Sequence, residues 1–179
     1  MQARPRPRMI SSDRGLSCVF IGANGLSWNQ ASLYWDRVTL TDLDDEILTA
    51  LQIIAPGVMG LSFVGEAETT SNRVPLVRVK DIDEPLPLGS LGNGMLRILG
   101  IVLALANAKD GILLVDEIEN GIHYSAQQEV WQMIFSLAPK LNVQVFATTH
   151  SWDCIEGFQK AAIGNKQQVG NKQGEGRYG

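Results

Sequence analysis

The stretch Gly111-Ile-Leu-Leu-Val-Asp-Glu-Ile-Glu119 leads from four apolar residues directly into two adjacent carboxylates. A short apolar run that follows a glycine is typical of a strand buried on both faces of a parallel sheet. An unpaired buried carboxylate is very costly, so the charges of Asp116 and Glu117 at the end of such a strand indicate that something requires them there. In open α/β sheets ligands bind just beyond the carboxyl ends of the strands. The acidic pair therefore marks a candidate site.

A second apolar run, Val143-Gln-Val-Phe-Ala147, also ends in polar residues, Thr148-Thr-His-Ser151. If the two runs are neighbouring strands of one sheet, their polar ends meet at the same edge. Two neighbouring strands that end in Asp-Glu and in Thr-Thr-His-Ser are typical of a nucleotide-hydrolysis site.

Composition bounds the class of protein. At 179 residues the chain is long enough for one domain with a core plus appendages, and its 45% hydrophobic and 19% charged residues are ordinary for a globular protein. The net charge of −4 gives no support for a broad nucleic-acid surface. No apolar run is long enough for a membrane span and no signal peptide is recognisable. Cys18 and Cys154 show no metal-ligand spacing, so we interpret both as reduced core thiols of a cytoplasmic protein.

The hydrophobic pattern predicts strands over 16–21, 58–64, 74–79, 112–116 and 143–147, and helices over 40–55, 94–107, 125–137 and 151–162. We expect an α/β fold whose parallel sheet lies in residues 86–162, preceded by a small α+β accessory region over 16–85. The polar ends, 1–15 and 163–179, are predicted to be disordered.

Each candidate residue has a chemical role and a structural alternative. Mg²⁺ prefers oxygen ligands and keeps several waters, so Asp116 could hold it directly or through water. Glu117 could polarise an attacking water, a general-base role worth about 10²–10⁴-fold in rate. The structural alternative is that both carboxylates only cap the next turn and pair with Lys or Arg. A neutral His150 could donate to a terminal phosphate, whereas His123 is interpreted as structural or as part of a subunit contact.

A glycine-rich loop, Ser90-Leu-Gly-Asn-Gly-Met95, precedes the predicted buried helix. Glycines there expose backbone N–H groups at a helix N-terminus, where phosphate is favoured. The motif alone is weak, but it gains weight from lying shortly before Asp116. By contrast, the sequence contains no G-x-x-x-x-G-K followed by Ser or Thr, the loop that cradles phosphates in many nucleotide hydrolases.

Three motifs in this order resemble the carboxyl half of ATP-binding-cassette-type ATPases. They are Leu91-Gly-Asn-Gly94 at the start of a helix, Leu113-Leu-Val-Asp-Glu117, and a strand ending at His150. Within that superfamily, DEIENGIH over 116–123 and TTHS over 148–151 are similar to the AAA-type ATPases related to chromosome-maintenance (SMC) and OLD-family proteins. The resemblance covers about residues 86–160. It implies part of a P-loop ATPase sheet with flanking helices.

The resemblance also implies residue roles. Asp116 would be the Walker B carboxylate for Mg²⁺, Glu117 the catalytic glutamate and His150 the switch histidine. The signature loop that contacts ATP would be formed by Ser90, Gly92, Asn93 and Gly94, and residues 120–123 would meet the partner subunit. The signature reads Leu-Gly-Asn-Gly where the family has Leu-Ser-Gly-Gly, so Ser90 would have to replace the missing serine. The G-x-x-x-x-G-K-S/T loop that cradles phosphates is called Walker A in this family. Since it is absent, the chain is interpreted as a fragment of a longer ATPase.

We therefore expect ATP and Mg²⁺ as cofactors and a head-to-tail homodimer that encloses the nucleotide, with an effector protein as a further partner. One alternative is a non-hydrolysing interaction module that supplies its signature face to an intact subunit. A Mg²⁺-dependent nuclease is disfavoured, because the acidic cluster consists of Asp116, Glu117 and Glu119 alone. Phage defence, DNA repair and toxin control are all compatible processes.

Overall fold

The computed structural model describes residues 17–65, 73–92 and 94–174, with side chains of the last helix as far as Asn165. Its strands are β1 Cys18–Ile21, β2 Val58–Val64, β3 Val74–Val79, β4 Leu86–Pro87, β5 Ile112–Val115 and β6 Gln144–Ala147. Its α-helices are α1 Trp28–Val38, α2 Asp42–Ile54, α3 Gly94–Asn107, α4 Gln127–Lys140 and α5 Trp152–Gly174. Short 3₁₀ helices cover Leu88–Leu91 and Tyr124–Ala126.

A three-stranded parallel sheet with strand order β1-β5-β6 forms the centre of the fold. Ile21 pairs with Val115 and Val115 with Ala147, so all three strands end at one edge. This confirms the predicted α/β class and the pairing of the two strands that carry the candidate residues. The sequence had assigned β1 to the accessory region, but β1 is an edge strand of this sheet.

The buried helix α3 packs on one face of the parallel sheet and contacts α1 and α2. From Ile98 to Leu105 its residues are almost wholly excluded from solvent. The same core includes Val19, Ile21, Leu113 and Val115 from the sheet. Helix α3 is therefore apolar on nearly every side because sheet and helices surround it.

The accessory region contains a second, antiparallel sheet with order β2-β3-β4, which confirms the predicted hairpin. Helix α2 begins after the N-cap Thr41, whose hydroxyl accepts from the N–H of Leu43. Helix α1 was not predicted. Its signal was a capping box, in which the Ser27 hydroxyl accepts from the N–H of Gln30 and the Gln30 side chain accepts from the N–H of Ser27.

Within the part of the chain that the structure describes, the second face of the parallel sheet is left partly uncovered. Phe20, Leu114 and Phe146 lie side by side across the three strands, and Phe20 is 61% and Phe146 51% exposed. Leu114 of β5 is only partly buried, so the burial of this strand on both faces that its apolar sequence predicted is incomplete among the described residues. The residues in the described ranges cover only the face packed on α3.

Cys18 is exposed, which corrects its interpretation as a core thiol, whereas Cys154 is buried.

Helix α5 extends to Gly174, well beyond the predicted end at 162. Lysine and glutamine are good helix formers, and each helical glycine costs only about 1 kcal/mol relative to alanine, so this polar stretch can stay helical. The predicted disorder of residues 1–15 falls outside the described residues, as do residues 175–179. Within the described ranges, no helix has the length and apolarity needed to cross a membrane.

Candidate functional site

The candidate site lies at the edge where β1, β5 and β6 end. Asp116 follows β5, and its N–H donates to the carbonyl of Ile21 at 2.9 Å, which ties the end of β5 to the end of β1. Glu117 comes next and has a positive φ of 47°. Both acidic residues are only partly exposed. The sheet therefore presents the predicted carboxylates at its carboxyl edge.

Thr148 joins the two strand ends through its hydroxyl. Its Oγ1 donates to Oδ1 of Asp116 at 2.7 Å and accepts from the N–H of Glu117 at 2.9 Å. The backbone continues the contact, because the N–H of Ile118 donates to the carbonyl of Thr148. Thr148 therefore fixes one carboxylate oxygen of Asp116 and the backbone of Glu117.

Glu119 connects the acidic loop to the segment that carries His150. Its Oε1 accepts from the N–H of His150 at 2.9 Å. Burial disfavours the charged form, but the hydrogen bond from the backbone N–H of His150 and the other polar groups of this segment outweigh it and lower the pKa of Glu119. The His150 residue itself is exposed. The structure thus brings His150 to the same edge as the two carboxylates, and Glu119 holds its backbone there.

Arg97, from the first turn of α3, lies beneath this edge. The residue is only 7% exposed and donates to the carbonyls of Gly22 at 2.7 Å, Asp116 at 2.8 Å and Glu117 at 3.0 Å. Burial lowers the pKa of the Arg97 guanidinium, although the negative charges of Asp116, Glu119 and Glu117 act in the opposite direction. Arg97 therefore links the buried helix to the ends of β1 and β5.

The predicted signature loop lies beside a different segment, the turn that follows Glu119. A Cβ added to Gly94 would stand 3.0 Å from the carbonyl oxygen of Gly121, so only glycine fits without displacing that turn. Gly92 has φ of 118° and, like Ser90, is exposed. Asn93 lies outside the described residues. The exposed signature residues are therefore free to meet another molecule.

His123 has a structural role, as the sequence indicated. Its Nδ1 accepts from the N–H of Ser125 and caps the 3₁₀ helix Tyr124–Ala126. Its ring also lies 4.3 Å from that of Tyr124, measured between centroids. The turn with His123 remains exposed, as a subunit contact would require.

The donor set at the sheet edge fits Mg²⁺ better than a metal held by protein ligands alone. The described residues contain no group of three or more His, Cys, Asp or Glu side chains able to hold a metal. Mg²⁺ is commonly bound through one or two carboxylates, with water and substrate phosphates completing its shell. Asp116, oriented by Thr148, matches that pattern.

Sequence reasoning missed three residues that organise the site. Thr148 stood in the recognised Thr-Thr-His-Ser run, but its bridge to Asp116 depends on the register of β5 with β6. Glu119 was noted only as part of an acidic cluster. Arg97 gave one usable signal: it is the one charged residue in the otherwise apolar helix Gly94–Asn107.

Comparison with known proteins gives two curated relatives. A Helicobacter pylori protein named as an ATP/GTP phosphatase is 32% identical over 117 residues, which are 64% of this chain and 30% of that protein. An uncharacterised protein of Methanocaldococcus jannaschii is 38% identical over 66 residues, which are 37% of this chain and 58% of that protein. The chain thus matches less than two thirds of the length of either relative.

Solved structures include the SMC head domain from Thermotoga maritima, which is 15% identical with a TM-score of 0.49 and aligns over 77% of this chain and 46% of that one. An Smc head bound to the C-winged helix domain of ScpA is 12% identical with a TM-score of 0.47, over 64% of this chain and 36% of that one.

A family model matches the part of the chain that contains the candidate site. The model of the AAA ATPase domain matches residues 40–155, which include both sheets' central strands, the acidic pair and the Thr-Thr-His-Ser run. The chain belongs to the AAA ATPase domain family.

Proposed function

We propose that this chain is part of a longer ATPase that binds and hydrolyses ATP with Mg²⁺. The observation that carries the proposal is the joining of Asp116, Glu117 and Thr148 by hydrogen bonds at the carboxyl edge of a parallel sheet. Asp116 would hold Mg²⁺, which would offset phosphate charge. Glu117 would accept a proton from the attacking water, and His150 would donate to the terminal phosphate. The ATP/GTP phosphatase name of the Helicobacter pylori relative supports this reaction class.

The isolated chain is proposed to hydrolyse ATP negligibly. Residues 1–179 contain no phosphate-cradling G-x-x-x-x-G-K-S/T loop, whose backbone and lysine contact the phosphates and whose hydroxyl binds Mg²⁺. The exposure of Phe20 and Phe146 on one face of the parallel sheet supports the same proposal, because parallel sheets are normally covered on both faces. The remaining part of such an ATPase would supply both the phosphate-binding loop and the residues that cover this face of the sheet.

The decisive experiment compares the purified chain with an assembly that contains a Walker A segment, encoded upstream in frame or added as a separate polypeptide. The chain alone should show no turnover above background, and the assembly should hydrolyse ATP. Glu117→Gln should then slow hydrolysis by orders of magnitude and preserve ATP binding, because the base is lost while Asp116 stays. Asp116→Asn should instead weaken binding of Mg-ATP. A fully active Glu117→Gln assembly would exclude Glu117 as the base.

We propose a head-to-tail dimer in which the signature loop of one subunit contacts the ATP of the other. The exposure of Ser90 and Gly92 supports it. Ser90→Glu adds bulk and negative charge on this surface and should suppress ATP-driven dimerisation and turnover. Ser90→Ala removes only the hydroxyl and should reduce both less. Mixing Ser90→Glu with a Walker A variant should recover part of the activity, because one composite site is then intact. A mixture that stays inactive contradicts the assignment.

A second candidate function is a non-hydrolysing module that presents the signature loop to an intact subunit. The lack of a Walker A loop in this sequence favours it for the chain by itself. It predicts that the Glu117→Gln chain stimulates an intact subunit as well as the wild-type chain does, and that Ser90→Glu abolishes the stimulation. A cytoplasmic location belongs to the main proposal, since both cysteines are free thiols.

A further inference from the structure

Glu117 adopts a backbone conformation that a glutamate rarely takes. Its φ of 47° lies in the left-handed region, which non-glycine residues seldom occupy. The other non-glycine residues with positive φ in the described ranges lie in turns between elements: Leu40, Asp81, Asp110 and Asn142. Glu117 lies in the turn just after β5, at the candidate site, and is separated from the strand by Asp116 alone. Such a conformation persists only where the surrounding structure holds it, and it frequently marks function.

Arg97 supplies contacts on both sides of the Glu117 Cα. Its Nη2 donates to the carbonyl of Asp116 at 2.8 Å and to the carbonyl of Glu117 at 3.0 Å. These carbonyls belong to the two peptide groups that flank the Glu117 Cα. Hydrogen bonds to both therefore restrain φ and ψ of this residue together.

The position of Arg97 is itself restrained. Its Nη1 donates to the carbonyl of Gly22 at 2.7 Å, and the side chain is buried in the first turn of α3. A planar guanidinium can present parallel N–H groups in fixed directions, whereas a lysine ammonium acts as a single flexible donor group. The three carbonyls thus match the geometry of an arginine in particular.

A positively charged group at this place also acts on the acidic loop as a whole. The carboxylates of Asp116, Glu117 and Glu119 all interact favourably with the guanidinium. Hydrogen bonds with a charged donor are about twice as strong as neutral ones, so they can offset the cost of the left-handed conformation. The N–H of Glu117 is held independently by Thr148.

We propose that Arg97 is a positioning residue that keeps Glu117 in its left-handed conformation and thereby fixes where its carboxylate stands relative to the substrate. The consequence for reaction rate rests on the proposed function of Glu117. The consequence for backbone conformation does not, and it is measurable on the chain itself.

The test records NMR spectra of the wild-type chain, Arg97→Met, Arg97→Lys and the control Ile98→Val. Ile98 is the next residue of α3 and is 2% exposed, and its change to Val removes one methyl group but no hydrogen-bonding atom of Arg97. In Arg97→Met we expect the HN–Hα coupling of Glu117, which reports φ, to move away from the wild-type value. We also expect its amide to exchange faster, because a Glu117 released from the left-handed conformation no longer keeps its N–H on the Thr148 hydroxyl.

Arg97→Lys should lie between wild type and Arg97→Met, and Ile98→Val should match wild type at Glu117. A folded Arg97→Met chain with an unchanged Glu117 coupling and amide exchange overturns the proposal. If Arg97→Met does not fold, Arg97→Lys decides, because its Glu117 coupling must move in the same direction. An effect of equal size in Ile98→Val would show general loosening of α3 and would also overturn the proposal.

Kinetics in the ATP-hydrolysing assembly separate positioning from mere stability. Arg97→Met should lower kcat by about tenfold or more and leave KM for ATP near its wild-type value, because the base is displaced while substrate contacts remain. Arg97→Lys should restore part of kcat. If the wild-type assembly hydrolyses no ATP, the proposed function fails, whereas the NMR result still decides the role of Arg97.

Discussion

The hydroxyl of Thr148 donates a hydrogen bond to Oδ1 of Asp116 at 2.7 Å, across the junction of β5 and β6. The Thr148 hydroxyl oxygen also accepts from the N–H of Glu117, so one side chain orients both candidate residues. The sheet brings the strand ends together, and this hydroxyl joins the side chain of Asp116 to the backbone of Glu117. The site therefore depends on parallel strand register as much as on its acidic residues.

Replacing Thr148 tests this bridge. Thr148→Val keeps the shape but leaves Asp116 Oδ1 and the Glu117 N–H without their partner, and the free energy of unfolding should fall by about 0.5–1.5 kcal/mol. Thr148→Ser retains the hydroxyl and should stay closer to wild type. Urea unfolding at neutral pH measures both. Equal stability of wild type and Thr148→Val would contradict the bridge.

Glu119 should make stability depend on pH in the acid range. Its pKa is lower in the folded chain than its ordinary value of 4.5, so the unfolded state binds the proton more readily. The contribution to stability is therefore complete above that ordinary value and is lost as pH falls through the lower folded pKa.

Glu119→Gln removes the titrating group and should flatten the fall in unfolding free energy below pH 4.5. Denaturant titrations at a series of acid pH values measure this slope. Glu84→Gln, at an exposed position outside the site, is the matched control. If both variants show the same pH dependence as wild type, Glu119 has no such role.

Gly94 should not tolerate a side chain. A Cβ there would stand 3.0 Å from the carbonyl oxygen of Gly121, so Gly94→Ala should cost about 1–3 kcal/mol through overpacking. Gly164→Ala is the control, because nothing lies within 4 Å of its added Cβ in α5. It should leave stability unchanged or raise it by about 0.4–1 kcal/mol. Thermal unfolding compares the two, and equal melting temperatures would count against the contact.

The open face of the parallel sheet should cause self-association of the isolated chain. Phe20→Thr combined with Phe146→Thr should reduce binding of a hydrophobic dye and the apparent mass in sedimentation, with little loss of stability, because both rings are exposed. Phe63→Ala, at a position only 5% exposed, should instead cost about 3–5 kcal/mol. A large loss of stability in the double variant would show that the face is covered.

Much of the fold could be predicted from local patterns. The apolar runs before Asp116 and Thr148 indicated the strands, and the periodic residues of α2 and α3 indicated the helices. Helix α1 was missed because its signal lay in a side-chain cap at Ser27 and not in a long apolar stripe. The end of α5 was placed too early, because a polar, glycine-containing stretch can still satisfy its backbone as a helix.

The sequence by itself determined which chemical groups are available. They are two carboxylates at the end of one strand, a histidine at the end of the neighbouring strand, and a glycine-rich loop before a buried helix. These are local features, set by residue type and spacing. Only the tertiary structure decided that β1 joins the parallel sheet, that Phe20 and Phe146 remain exposed, and that Arg97 binds the carbonyls around Glu117. Each of these depends on strand register and on contacts between residues far apart in the chain, which no local pattern encodes.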